Sequence, residues 1–131
     1  FRSSADRAVE LILKSLAMSQ GGETFVFKMP VLKVGDLARA VVENSGKDVE
    51  MSIIGLRPGE KMYEELMSEE ESARALETDE LFIILPYDHD RREYQARYTS
   101  ARLAACGTYS STGAETMSLE DIKVMLNGHL Y

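Results

Sequence analysis

The chain has 131 residues, of which 44% are hydrophobic and 28% charged, enough for one packed core of ordinary domain size but too few for a dinucleotide-binding domain plus a substrate domain. Its 15 Lys and Arg against 22 Asp and Glu leave a net charge of −7, which repels a phosphate backbone and excludes a nucleic-acid partner. The single cysteine, Cys106, excludes an internal disulfide, and with no secretory signal and no apolar run approaching about 18 residues, a reducing cytoplasm away from any membrane is the expected setting.

The first residue is Phe1 rather than Met, and a helical pattern is already under way in the first two turns. A fragment of a longer polypeptide begins this way, as does a processed or tagged chain. Ser3, Ser4 and Asp6 offer a helix cap with an early acidic residue, and Ala5, Ala8, Val9, Ile12 and Leu16 recur on one face until Gly21 and Gly22 stop the helix. Residues 24–29 alternate polar and apolar side chains of aromatic and β-branched type, and Pro30 ends that strand. Val34, Leu37, Ala38, Val41 and Val42 make a second amphipathic helix closed by Asn44, Ser45 and Gly46, after which residues 49–56 read as another strand.

Strand, helix, strand predicts a right-handed crossover between two parallel strands, and it puts the carboxyl end of the second strand at the face where α/β folds bind ligands. Farther along, residues 61–67 read as a short helix, Ser68, Glu69, Glu70 and Glu71 as a capping box opening another, and residues 81–85 as a short buried strand halted by Pro86. The pattern weakens over residues 87–116, and a last helix over 119–126 is capped by Ser118 and Asp121. The expected fold class is α/β: a small domain at 1–86 with a βαβ unit and several helices, then an irregular C-terminal extension at 87–131.

The chemistry-bearing stretch follows the second expected strand. Gly55-Leu56-Arg57-Pro58-Gly59-Glu60-Lys61 sets a rigid φ at Pro58 and a free φ at Gly59 between a guanidinium and a carboxylate. Arginine presents a planar fork that grips a diphosphate at two points, and a carboxylate three residues on accepts hydrogen bonds from vicinal ribose hydroxyls. The plainer reading is a chain reversal with Arg57 and Glu60 as a surface ion pair, which contributes little.

Residues 55–66 resemble the G-x-R-P-G-E-K-x-x-E-E-L stretch of the polysaccharide-biosynthesis 4,6-dehydratases, a branch of the extended short-chain dehydrogenases, with Met62 and Tyr63 at the variable pair. Phe1 and Ser4 followed by Ala8, Val9, Glu10 and Leu11 look like the family's R-F-x-x-[ST] segment and its A-V-[DE]-L continuation. Gly22, Glu23, Phe25 and Val26 leading to Asp36, Leu37 and Ala38 fit as well. Tyr109, Ser110 and Ser111, then Ser118, Leu119, Ile122, Lys123, Met125 and Leu126, look like the C-terminal extension of the capsule-type UDP-N-acetylglucosamine dehydratases. Arg2 and Ser3 depart from the apolar residues usual there, and the family arginine before Phe1 lies outside this sequence.

The resemblance implies that 1–86 is a nucleotide-sugar-binding domain whose ligand is a UDP- or dTDP-sugar. Arg57 would meet the diphosphate and Glu60 the ribose. Lys61 inherits no role and is expected to be solvated or ion-paired. The family's reaction passes hydride to and from NAD(P) with water elimination between, and needs a G-x-x-G-x-x-G turn and a Tyr-x-x-x-Lys pair. Neither occurs in these 131 residues, so no residue is named as catalytic or cofactor-binding, and the chain alone is expected to be inactive. Its implied partners are its own N-terminal Rossmann domain and further copies in a homo-oligomer.

Weaker features carry bland readings. Asp88, His89 and Asp90, with His129 far away, read as a polar loop rather than a metal site, and Cys106 as a small half-buried residue rather than a reactive thiol. The acidic run from 64 to 71 reads as a solvated helix face, and Met18, Met51 and Met62 as core. Besides the substrate-binding reading, two others stay open: that 87–131 is an assembly element, and that the chain is a free-standing nucleotide-binding or regulatory module.

Overall fold

A computed structural model describes residues 4–87 and 90–128. Its elements are α1 (Ser4–Met18), β1 (Thr24–Phe27), α2 (Val34–Ser45), β2 (Glu65–Met67), α3 (Glu69–Ser72), β3 (Ala75–Glu77), β4 (Leu81–Ile84), α4 (Arg91–Arg97), β5 (Arg102–Leu103), β6 (Tyr109–Ser110) and α5 (Leu119–Asn127). One sheet has the order β1-β4-β3-β5 and a second pairs β2 with β6, every pairing being antiparallel. The mixed helix-and-sheet class matches expectation.

β4 is the centre. All four of its residues are buried, as its unbroken apolar run requires of a strand covered on both faces. Leu81, Ile83 and Leu85 join one cluster with Leu76, Tyr94 and Tyr98, while Phe82 and Ile84 join another with Met67 and Ala75. Alternate side chains of one strand thus reach opposite faces.

The helix ends behave as their residues predict. Gly46 closes α2 at φ 63, a conformation in which a Cβ is strained. Ser68 and Glu71 make a reciprocal capping box at α3, and the Ser118 hydroxyl accepts the Asp121 N–H at α5.

Several expectations fail. Residues 49–56 form no strand, and the βαβ unit with them; residues 43–66 are exposed throughout, with Ile53 at 97%. The physical reason is that α2 packs against α5 instead of crossing back over β1, so nothing pairs with or covers a second parallel strand. Among the described residues the one parallel contact is the isolated bridge between Val31 and Thr116. Met51 and Met62, the latter 81% exposed, lie on that stretch and not in the core; Met18 does pack against it.

Residues 61–67 form no helix. Their end is β2, where Met67 is buried, the Ser111 N–H donates to the Glu64 carbonyl at 2.9 Å and the Glu64 N–H to the Ser111 hydroxyl at 3.0 Å. A distant strand overrides the local helical spacing.

The inward face of α1 also differs. Leu11 and Ser15 are buried, Met18 follows them onto the core, and Arg7 and Lys14 on the same side reach Glu80 in the β3–β4 turn. Spacings of three and four residues put these five side chains on one stripe. Val9, Ile12 and Leu16, the expected stripe, point outward, with Leu16 73% exposed. Cys106 is exposed rather than half-buried, because it stands in the link between β5 and β6 and not on an element.

Residues 87–116 carry more structure than their sequence suggested. The Tyr98 hydroxyl donates to the Glu23 carboxylate at 2.8 Å and lies 3.1 Å from the Met18 carbonyl, while the Tyr94 hydroxyl donates to the Gly21 carbonyl at 3.0 Å. Two tyrosines four residues apart thereby fix α4 to the end of α1. Burial works against the Glu23 charge, but hydrogen bonds from Tyr98, Gln20 and Gly21 outweigh it and hold the carboxyl below its usual range.

Glu77 on β3 ties three strands together. It accepts from Lys28 just beyond β1 at 2.6 Å and from Arg102 on β5 at 3.2 Å. The hydrogen bond from Lys28 above all, opposed by burial and helped by Arg102, holds the Glu77 carboxyl below its ordinary value of 4.5. The unfolded chain therefore takes up this proton first as the pH falls. Stability from Glu77 is complete above about pH 4.5 and drains away as the pH drops through the lower folded value. Thermal unfolding of wild type and Glu77→Gln should show the gap between them narrowing as the pH falls below about 4.5; a gap independent of pH would place no linked proton at Glu77.

Candidate functional site

A cleft of about 1090 Å³ lies between three stretches: 31–35 leading into α2, 55–64, and 111–116 after β6. Hydrogen bonds tie both other stretches to the third, Glu64 to Ser111 as above and, just past Thr116, the Met117 N–H to the Val31 carbonyl at 2.8 Å. A second chamber of about 400 Å³ adjoins it and shares Val31, Leu32, Val34, Lys61, Met62, Glu64 and Ser111. Tyr63 and Tyr109 complete this chamber. Tyr109 is anchored to the core, its ring 5.0 Å from Phe82 and its hydroxyl accepting the Met29 N–H at 3.1 Å.

The expected turn is formed. Gly59 has φ 90, the left-handed value that the third position of a type II turn requires after proline, and the Glu60 N–H closes it on the Arg57 carbonyl at 3.0 Å. The Glu60 carboxylate folds back to accept the Arg57 N–H at 2.9 Å and lines the cleft. Arg57 is exposed and lies beside the lining rather than in it, between Leu56 and Gly59, which do line it. Among the described residues its guanidinium makes no ion pair, with Glu60 or otherwise, so the plain ion-pair reading of this turn does not hold. Both charged groups of the motif are presented to solvent at one mouth.

Sequence reasoning missed the opposite wall. Lys33, Val34 and Gly35 open α2 onto the cleft, and no side chain caps that end; uncapped N–H groups and the helix dipole favour an anion there. Ser111, Gly113 and Thr116 come from the stretch whose pattern had weakened, and no local signal marks them. They become site residues only because β6 pairs with β2.

The segment from β1 to α2 is Lys28, Met29, Pro30, Val31, Leu32, Lys33, with no glycine to let a pyrophosphate approach the backbone. Among the described residues no three His, Cys, Asp or Glu side chains are grouped to hold a metal ion; Asp88, His89 and His129 lie outside them. No helix among the described residues is long and apolar enough to cross a membrane.

With the geometry in hand, comparison with known proteins is informative. Residues 1–86 match the family described as "Polysaccharide biosynthesis protein". An uncharacterized membrane protein of Methanocaldococcus jannaschii is 35% identical over 96% of this chain and 37% of its own length. UDP-glucose 4-epimerase of Rickettsia felis is 32% identical over 96% of this chain and 37% of its own. The capsular polysaccharide biosynthesis protein CapD of Staphylococcus aureus is 46% identical over 49% of this chain and 11% of its own. The X-ray structure of Pen from Bacillus thuringiensis superposes on 95% of this chain and 35% of its own with a TM-score of 0.79 and 32% identity. The chain thus spans little more than a third of the length of the relatives it matches throughout.

A Cβ added at Gly59 would meet nothing within 4 Å, so the cost of Gly59→Ala is conformational alone, about 1–2 kcal/mol for a left-handed residue. Amide exchange should quicken at Glu60 while β4 keeps its protection. Unaltered exchange at Glu60 would show that Gly59 does not hold the turn.

Proposed function

The chain belongs to the polysaccharide biosynthesis protein family, and we propose that it is the nucleotide-sugar-binding part of an NAD(P)-dependent 4,6-dehydratase. The observation that carries this reading is the Arg57-Pro58-Gly59-Glu60 turn, whose Gly59 and Glu60 line a cleft that the uncapped start of α2 also lines. In this reading the Arg57 fork grips the diphosphate and Glu60 takes the ribose hydroxyls. The Glu60 carboxylate accepts one hydrogen bond from its own turn and keeps acceptor capacity for two more. The likeness to a UDP-glucose 4-epimerase supports a nucleotide sugar as ligand, and the likeness to CapD supports a role in polysaccharide synthesis. Elimination of water, with or without epimerisation at C5, rests on the resemblance of residues 55–66 to the dehydratases.

The residues present would bind and orient the ligand. Hydride transfer belongs to NAD(P) bound by polypeptide other than these 131 residues, and assembly into a homo-oligomer fits the same reading. Incubated with UDP-N-acetylglucosamine and NAD(P), the chain alone should form no 4-keto product; any turnover would refute the division of labour.

Titration with UDP-N-acetylglucosamine is the direct test. Arg57→Ala should weaken binding roughly ten- to a hundredfold, the range for hydrogen bonds to charged groups. Arg57→Lys should recover part of that, because an ammonium keeps the charge and loses the fork. Equal affinities across the three would make Arg57 an ordinary surface residue.

A further inference from the structure

Four charged side chains line the main cleft: Lys33, Glu60, Lys61 and Glu64. The Glu60 carboxylate is engaged by the Arg57 N–H. Neither lysine holds a carboxylate among the described residues, although Glu64 is one helical turn's worth of sequence from Lys61. Elsewhere Lys14 pairs with Glu80, Lys28 and Arg102 with Glu77, and Lys123 with Glu43, while Lys47 and Arg92, away from the cleft, also make no ion pair among the described residues. In a chain with 22 acidic and 15 basic residues, partners are plentiful, yet Lys33, Lys61 and the adjacent Arg57 all go without one around a single cleft.

The two lysines come from different walls, Lys33 from the approach to α2 and Lys61 from the stretch after the turn. Lys61 also lines the second chamber, so it stands where the two meet. An anionic ligand entering a protein of net charge −7 meets general repulsion, which only local positive charge offsets.

We propose that Lys33 and Lys61 form a phosphate-binding pair inside the cleft, with Arg57 approaching the same group from beside it. This rests on the nucleotide-sugar reading and adds to it two residues that the sequence motif left without a role. Each ammonium offers three donors and a compact charge, which suits phosphate oxygens without the planar geometry that a guanidinium demands. Lys61, between the chambers, then sets where the phosphates end and the rest of the ligand begins.

The test compares UDP with uridine on the wild-type chain and on Lys33→Gln, Lys61→Gln, Lys47→Gln and Arg57→Ala by calorimetric titration. Lys47 is exposed and outside both chambers, and controls for overall charge. UDP should bind more tightly than uridine. Lys33→Gln and Lys61→Gln should each weaken UDP about three- to tenfold, leave uridine unchanged, and flatten the salt dependence of UDP binding, whereas Lys47→Gln should change none of these. If UDP affinity is unaltered by both cleft variants, or falls as much in Lys47→Gln, the pair is overturned; a loss in Arg57→Ala under those outcomes leaves the nucleotide-sugar reading standing. If UDP binds no more tightly than uridine, the pair and that reading fall together.

Discussion

One strand carries apolar packing to both sides of the molecule. Leu81, Ile83 and Leu85 face α1 and α4, while Phe82 and Ile84 face β2 and β6, so neither layer can be assembled without β4. Its neighbours β1 and β3 both precede it in the chain, β3 by a short turn and β1 with residues 28–74 intervening before β3, and the chain must therefore bring residues 24–27 and 75–85 together before either face is complete. Removing apolar surface from water is the dominant favourable term in folding, and among the described residues five of the thirteen buried hydrophobic side chains occupy the consecutive positions 81–85.

The cleft depends on the same strand at one remove. Phe82 packs on Tyr109, Tyr109 lies in β6 and holds the backbone of Met29, and β6 fixes the 111–116 wall against Glu64. The wall at 31–35 continues from Met29, and the bridge between Val31 and Thr116 ties it to the third. A rigid path thus runs from the core to two of the three walls. The third, which carries the Arg57 turn, is anchored at its Glu64 end through Ser111, and the turn itself is shaped by its own proline, glycine and internal hydrogen bonds.

What was legible in the sequence is what short-range chemistry decides. Gly46, the Ser68 and Glu71 box and the Ser118 cap each act within four residues, and the Pro58-Gly59 turn needs only its own φ angles; all of these form as read. Residues 49–56 and 61–67 were misread because their local pattern was satisfied while their partners were not. Alternation in the first found no neighbouring strand, and helical spacing in the second lost to Ser111 and Tyr109, more than 40 residues away by their numbers. The inward stripe of α1 was misread for a similar reason: Arg7 and Lys14 turn toward Glu80, and the helix rotates with them, leaving its more apolar side outside. Half of the site was visible for the same physical cause. Arg57 and Glu60 sit in a self-contained motif, whereas Lys33 and the 111–116 wall acquire meaning only through tertiary contact.

The exposed stretch at 43–66 also has a mechanical meaning. It joins two parts of the chain, 4–42 and 67–128, that are already knit together by the β1–β4 ladder and by α2 against α5. The covalent link is thus a tether across a seam already closed by non-covalent contacts, and a protease cutting within it would leave a nicked but associated pair. Because lengthening a loop costs chain entropy only logarithmically, residues can be inserted on either side of the Arg57 turn at little expense to the fold. The ligand-facing turn is carried on the segment whose length the architecture constrains least.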